Sequence, residues 1–206
     1  MKRFLTTGLA TAFSLALIAC GGGDAGADSE ADTTAMETAE TPAPAPAPAA
    51  APTGGGTLSQ ADWVTVDETA RTVTINLVGG QTDANNHWNY NGHVNGDATV
   101  VVPEGYAVTI NFSNEDPVNF HSAVVLETQA SYPAMFDSAT PVFEGAMTSN
   151  PTSMTEATAP GESETITFTA GTAGTYALVC VIPAHASQGM WIGFEVSASG
   201  ESGVRM

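Results

Sequence analysis

Three residues that can bind a soft metal ion lie close together near the C-terminus of the chain. Cys180, His185 and Met190 follow one another in a Cys-x4-His-x4-Met pattern, with Pro183 in the first gap. A thiolate and an imidazole in one plane, with a thioether at longer range, are the ligands of a mononuclear copper site. The pattern therefore predicts a copper ion, cycling between Cu(I) and Cu(II), bound mainly by one loop.

Such a site needs a second imidazole from another part of the chain. His121 is the predicted ligand, because it stands at the start of an apolar strand and follows a turn-like segment at residues 114–117. His87 and His93 lie in a polar segment rich in Asn and Gly. We interpret these two as solvated loop histidines, although an imidazole can always bind a metal.

Each predicted ligand also has an ordinary structural interpretation. Cys180 can be a small buried hydrophobe, His185 a loop histidine and Met190 a filler of the core. Their joint occurrence at this spacing, directly after a strand, favours copper because the set of soft ligands matches the needs of that metal.

The elements that must position these residues are predicted to be strands. From residue 58 to 198, short runs rich in Val, Ile, Thr and Phe alternate with Gly, Pro, Asn and Asp. The predicted strands cover residues 63–66, 72–77, 98–102, 107–112, 122–126, 164–169, 175–180 and 192–196. Polar and apolar residues alternate within these strands, which indicates that each strand has one buried face. The pattern predicts a single all-β domain, a sandwich of two sheets, followed by a C-terminal tail at 199–206.

The segment from residue 128 to 161 interrupts this strand spacing. Loops of such length are unusual in a compact domain unless they are functional. We expect this segment to cover or flank the predicted site.

Several segments resemble the cupredoxins and, within them, the sulfocyanin and rusticyanin group. The resemblance covers roughly residues 60–198 and is carried by Asn-Tyr-Asn-Gly-His-Val-Asn-Gly at 89–96, Val-Val-Pro-Glu-Gly at 101–105, and Ile-Pro-Ala-His running into Gly-Met-Trp at 182–191. It implies a Greek-key β-sandwich with one type 1 copper ion, and one-electron transfer at relatively high potential rather than enzymatic catalysis.

The same resemblance assigns a role to each residue of the site. It implies that His121, Cys180 and His185 are the equatorial ligands and that Met190 is the axial ligand. Ser122 matches a position that often carries Asn or Ser, and we expect it to form a hydrogen bond near the cysteine loop. Val181 departs from the Ser or Thr common after the cysteine, which removes one possible hydrogen bond.

An apolar surface near the loop is predicted to receive the redox partner. It consists of Ile182, Pro183, Ala184 and Trp191, with the alternative that the Trp191 ring packs inward. Resemblance suggests a cytochrome or a terminal oxidase as the partner of a monomeric carrier.

The N-terminus is predicted to export and anchor the protein. Residues 1–19 resemble a lipoprotein signal, with Lys2 and Arg3 before an apolar run that ends in Leu-Ile-Ala-Cys. Cys20 would then carry a lipid at the cell envelope, on the periplasmic or outer face of a membrane. Residues 20–57 are rich in Gly, Ala, Pro and acidic residues and would form a disordered tether. The alternative is an ordinary secretory signal with an incidental cysteine.

The exported chain is strongly acidic. Without Lys2 and Arg3, two cations face 22 carboxylates, which gives a net charge of 2 − 22 = −20. This charge excludes nucleic acid as a partner and attracts basic proteins. Adaptation to a salty medium explains it equally well.

Other functions remain open at this stage. A copper-trafficking or storage module would use the same ligands and would favour Met-rich segments, whereas Met135, Met147 and Met154 are scattered. Multicopper enzymes need paired histidines, and dinuclear copper centres need a second loop cysteine; neither pattern occurs in the sequence. A metal-free adhesion sandwich is the remaining alternative.

Overall fold

The computed structural model of the protein describes residues 57–206. The predicted signal at 1–19, the predicted lipidation site Cys20 and nearly all of the predicted tether at 20–57 lie outside the described residues. Within residues 57–206, no helix has both the length and the apolar character that crossing a membrane requires.

Ten strands and two short 3₁₀ turns form the described part of the chain. The strands are β1 (Leu58–Ser59), β2 (Val64–Asp67), β3 (Thr72–Gly79), β4 (Thr99–Pro103), β5 (Ala107–Asn114), β6 (Val124–Glu127), β7 (Ser163–Thr169), β8 (Gly174–Val179), β9 (Trp191–Ser197) and β10 (Gly203–Arg205). The 3₁₀ turns span Ala84–His87 and Ala186–Gln188. Each of the eight predicted strands corresponds to one of β2 to β9.

The strands form two mixed sheets. One sheet has the order β1-β10-β4-β9-β8-β6 and the other the order β2-β3-β5-β7. The pairs β3–β5 and β4–β9 are parallel, because the chain passes to the other sheet between them and returns in the same direction. The predicted all-β, Greek-key sandwich is confirmed.

The C-terminus differs from the sequence prediction. Residues 203–205, predicted as part of a tail, form β10, which pairs with β4 on one side and with β1 on the other. A strand of three residues is too short to show alternation of polar and apolar positions, so its pattern could not be recognised in the sequence.

The main core lies between the sheets and follows the alternation in the sequence. On β3, Val73, Ile75 and Leu77 are fully buried. The neighbouring strand β5 lies in the same sheet, and its alternate residues are buried as well. Alternate side chains of a strand point to opposite faces, so the pattern alone selects the buried face.

A second apolar cluster covers the outer face of β6 and β8. Val124, Ala177 and Val179 pack there, whereas their neighbours Val125 and Leu178 belong to the main core. The predicted loop at 128–161 contributes Tyr132 and Phe136 to this cluster. The loop therefore buries the second face of the two strands that lead to the predicted metal ligands.

Candidate metal centre

Three of the predicted ligands converge at one end of the sandwich. The Sγ atom of Cys180 lies 3.4 Å from Nδ1 of His185 and 3.9 Å from Nδ1 of His121, and the two Nδ1 atoms are 3.1 Å apart. All three side chains are buried. Among the described residues, they form the group whose donor atoms are placed to share one metal ion.

The donor set fits a bound cation. Bonds of about 2.0 Å to nitrogen and about 2.3 Å to sulfur, roughly 120° apart, separate the donor atoms by about 3.5 to 3.8 Å, close to the spacing in the structure. Two imidazole nitrogens at 3.1 Å also direct lone pairs at each other unless a proton or a cation lies between them. A thiolate with two imidazoles is the equatorial set of a blue copper site.

Strand pairing explains how residues distant in sequence meet. The antiparallel pair β6–β8 places Val124 opposite Val179. His121 stands shortly before β6 and Cys180 follows β8 directly, so the two ligands come to the same end of the pair. A bridge between His121 and Thr158 of the long loop holds the first ligand at this end.

The loop that carries the other ligands is closed by its own backbone. The Cys180 amide donates to the Met190 carbonyl at 3.1 Å, and the Met190 amide donates to the His185 carbonyl at 2.9 Å. Gly189 completes the turn with a φ of 101°, in the left-handed region that favours glycine. These bonds fix the three loop residues relative to one another.

Met190 lies at the closed end of this loop and its side chain is fully buried. It packs in the main core cluster together with Cys180. The structure thus brings the residue to the site, and its role as axial ligand stays a prediction.

Ser122 links the two strands that supply the ligands. Its backbone amide lies 3.5 Å from Sγ of Cys180 and its hydroxyl 3.7 Å from the same sulfur, while the hydroxyl accepts a hydrogen bond from the Val181 amide at 3.1 Å. The hydroxyl of Tyr90 in turn donates to the Ser122 carbonyl. Sequence reasoning missed Tyr90, although it lies within the segment that carries the family resemblance.

The thiol of Cys180 has a strongly shifted acidity. Burial raises the pKa of Cys180 to about 11, although hydrogen bonds with Ser122 and Ile182 act in the opposite direction. A buried thiolate is costly without a positive partner, so the group becomes a thiolate when a cation binds.

A carboxylate contacts the outer side of His121. Oδ2 of Asp116 lies 3.0 Å from Nε2 of His121, the ring nitrogen that faces away from Cys180. Sequence reasoning missed this contact as well. No local pattern marks it, because acidic residues are common in turns whether or not a ligand histidine follows.

An aromatic ring covers His185. The Trp88 ring stacks on the imidazole with centroids 4.1 Å apart and an angle of 21° between the planes. Burial and, to a smaller extent, the nearby His121 lower the pKa of His185 to about 3, and burial lowers the pKa of His121 as well. Both histidines are therefore neutral at pH 7 and available as metal ligands.

The remaining histidines lie outside the cluster. The Nδ1 atom of His87 is 3.3 Å from the Gly80 carbonyl oxygen, and that of His93 is 3.3 Å from a carboxylate oxygen of Asp97. Both are partly exposed, as expected for loop histidines.

The predicted docking surface is only partly exposed. Ile182 has 3% of its surface exposed, so its inclusion in that surface was wrong; the loop turns its side chain into the main core. Pro183 and Ala184 are half-buried. Trp191 is half-buried too, and its ring packs inward against Tyr132 with centroids 5.4 Å apart.

Comparisons with known proteins agree with this site. The sequence matches the sulfocyanin (SoxE) domain family over residues 59–202. No curated relative matches the chain by sequence.

Two of the solved structures to which the chain is similar are an auracyanin and a rusticyanin. Dithionite-reduced auracyanin from Roseiflexus castenholzii is 27% identical, with a TM-score of 0.42, and the match covers 60% of this chain and 96% of that chain. Rusticyanin from Thiobacillus ferrooxidans is 25% identical, with a TM-score of 0.43 and coverage of 66% and 88%.

The family match spans strands β2 to β9 and includes all four predicted ligands. Cupredoxins bind one copper ion and are electron-transfer proteins. Because the match covers most of the chain and the buried thiol and imidazoles fit that ion, the chain belongs to the sulfocyanin domain family of the cupredoxins.

Proposed function

We propose that the protein is a one-electron carrier whose type 1 copper ion is held by His121, Cys180 and His185, with Met190 as a weak axial ligand. The observation that carries this proposal is the convergence of one buried sulfur and two buried imidazole nitrogens within 3.9 Å of one another. When bound, copper supplies a one-electron couple between Cu(I) and Cu(II).

The contribution of the chain is to hold the ligands still. The bonds among Cys180, His185 and Met190 close the loop, and Ser122 ties it to the neighbouring strand. Ligands that barely move between oxidation states keep the reorganisation small, and the packed sandwich resists movement because interiors are close-packed. Trp88 adds to this by excluding water from one face of His185.

Burial favours a carrier over a copper-trafficking or storage module. The donor atoms lie in the core, so a metal-exchange partner would have to open the loop before it reached them. The methionines that trafficking would use are at the surface: Met135 has 70% of its surface exposed and Met154 has 63%, whereas the donor atoms are buried.

We further propose a location and a class of partner. Export and a lipid on Cys20 would place the carrier at the cell envelope, on the periplasmic or outer face of a membrane. Its partners would be redox proteins such as a cytochrome or a terminal oxidase, with a basic contact surface to complement a charge of −20 after removal of Lys2 and Arg3. Pro183 and Ala184, beside the metal loop, are the part of the predicted docking surface that remains available.

The proposal is tested by loading the purified protein with Cu(II) and recording its visible spectrum. An intense band from charge transfer between thiolate and metal is expected. Replacing Cys180→Ser should abolish the band and leave the fold intact, while the matched control Cys20→Ser should retain it. Tight copper binding without the band would favour trafficking or storage, and failure to bind copper would contradict both functions.

A further inference from the structure

Asp116 is the buried acidic residue that the site described above leaves without a role. Only 1% of its surface is exposed, and His121, its neighbour, is fully buried. The carboxylate Oδ2 atom lies 3.0 Å from Nε2 of His121, while Nδ1 of the same ring faces Cys180 and His185. The carboxylate therefore contacts the histidine on the side opposite to the metal-binding nitrogen.

The orientation of the carboxylate is set by the turn that follows it. Oδ1 accepts hydrogen bonds from the backbone amides of Val118 at 2.7 Å and Asn119 at 2.8 Å. Oδ2 accepts one more from Nδ2 of Asn119 at 3.0 Å, in addition to its contact with His121. With both oxygens occupied, the group cannot turn away from the imidazole.

The group is an anion in this setting. Three N–H groups donate to its two oxygens, from the Val118 amide, the Asn119 amide and Nδ2 of Asn119, and a carboxylate that accepts two or three such bonds is held in its charged form. Within residues 57–206, the one basic side chain close enough to Asp116 for an ion pair is that of His121, and it is neutral. A buried anion with neutral neighbours adds its charge to whatever ion the imidazole holds.

We propose that Asp116 is a positioning residue that fixes the Nε2–H tautomer of His121 and, as a buried anion, favours the oxidised over the reduced copper ion. The first effect leaves the Nδ1 lone pair free for the metal and makes it more basic, as carboxylates do behind ligand histidines. The proposal rests on the function proposed above, because it concerns the same metal site.

The second effect follows from counting charge. A thiolate from Cys180 and the carboxylate of Asp116 together neutralise a doubly charged ion, whereas a singly charged ion leaves the buried group one charge negative. Low-dielectric surroundings penalise a net charge, so the carboxylate stabilises the oxidised form and lowers the reduction potential.

A purely structural role makes a different prediction. Asp116 could serve only to form the turn, since Asp and Asn side chains accept backbone hydrogen bonds in turns equally well. In that case Asp116→Asn would preserve the turn through its Oδ1 atom and leave the redox properties unchanged. The substitution therefore separates the charge from the turn.

The test compares Asp116→Asn with Glu115→Gln in the full, copper-loaded protein. Glu115 is the adjacent residue and is exposed, so the control removes the same charge without a contact to the site. Asp116→Asn should change the ratio of Cu(II) to Cu(I) affinity about tenfold, which raises the reduction potential by about 59 mV. It should also weaken Cu(II) binding by about 10- to 100-fold. A potential shift no larger than that of Glu115→Gln overturns the proposal.

A second measurement uses the unsubstituted protein and needs no copper. Nitrogen-15 NMR of the apoprotein should show His121 as the Nε2–H tautomer. The Nδ1–H tautomer would overturn the positioning role, even if Asp116→Asn failed to fold. If the protein had the Nε2–H tautomer but formed no blue copper site, the proposed function would be wrong, whereas the contact between Asp116 and His121 would be confirmed.

Discussion

The indole ring of Trp88 lies almost flat on the imidazole of His185, with the two centroids 4.1 Å apart. An amide of the same turn helps to hold it there, since Nδ2 of Asn85 donates both to the Trp88 carbonyl and to the Gln188 carbonyl of the metal loop, each at 2.9 Å. Only 4% of the surface of His185 is exposed. Trp88 therefore covers one face of the metal ligand and contributes to its burial.

Replacement of Met190→Leu should leave copper bound and raise the reduction potential. Loss of a weak axial sulfur donor destabilises the oxidised ion more than the reduced ion. Leucine has a similar volume, so the cost in stability should stay below about 1.5 kcal/mol. Protein-film voltammetry measures the potential. Met135→Leu is the control, because that side chain is 70% exposed whereas the metal ligands are buried; equal potentials in both variants would exclude Met190 from the axial position.

Binding of one Cu(II) ion at pH 7 should release about one proton. The proton comes from Cys180, whose pKa burial raises to about 11, so the free protein holds a thiol. Burial keeps the pKa of both His121 and His185 low, so both are neutral imidazoles at pH 7, and each can bind the metal through its free nitrogen without releasing a proton.

Calorimetry in buffers of different ionisation enthalpy measures this number. The variant Cys180→Ser is expected to release almost none. Release of two protons in the unsubstituted protein would mean that a second ligand is protonated before the metal arrives.

The apoprotein should lose stability as the pH falls from about 6.5 toward 3. An unfolded histidine has a pKa of about 6.5, whereas burial lowers the pKa of His185 in the folded protein to about 3. The unfolded state binds more protons in this window, so each such histidine costs about 1.4 kcal/mol of unfolding free energy per pH unit.

Urea unfolding of the apoprotein at several pH values tests this expectation. His185→Gln removes one titrating group without emptying the space, and its stability should decline less steeply than that of the unsubstituted protein. Parallel declines would argue that His185 is protonated in the folded state.

Replacement of Gly189→Ala should destabilise the protein more than Gly200→Ala. Both glycines have positive φ values, 101° and 81°, at which an alanine costs roughly 1 to 2 kcal/mol. A Cβ atom at Gly189 would also overlap the side-chain amide of Asn95, whereas a Cβ at Gly200 meets nothing within 4 Å. The difference between the two urea midpoints isolates the overlap, and equal midpoints would show that Asn95 moves aside freely.

Alternation of residue types was enough to locate most of the sandwich. Val73, Ile75 and Leu77 are buried as their period of two requires, and the same reasoning placed β5 and β9. The strands that it missed, β1 and β10, are two and three residues long, which is too short to show an alternation of polar and apolar residues. They depend on pairing with each other and with β4, which is a long-range relationship.

The metal loop was predictable for a related reason. Cys180, His185 and Met190 are close in sequence, and a closed loop of that length must bring them near one another whatever surrounds it. His121 was predicted from its place before a strand, but its distance to Cys180 depends on the pairing of β6 with β8. Asp116, Tyr90 and Trp88 had no local pattern to mark them.

The sequence by itself determined which residue types are available for metal chemistry, which faces of the strands are buried, and which loop carries three of the ligands. All of these depend on the order of neighbouring residues. Only the tertiary structure decided that Asp116 stands behind His121, that Trp88 covers His185 and that Ile182 is buried. Those contacts join segments brought together by sheet pairing and loop packing, and side-chain geometry of this kind is not encoded in a local period.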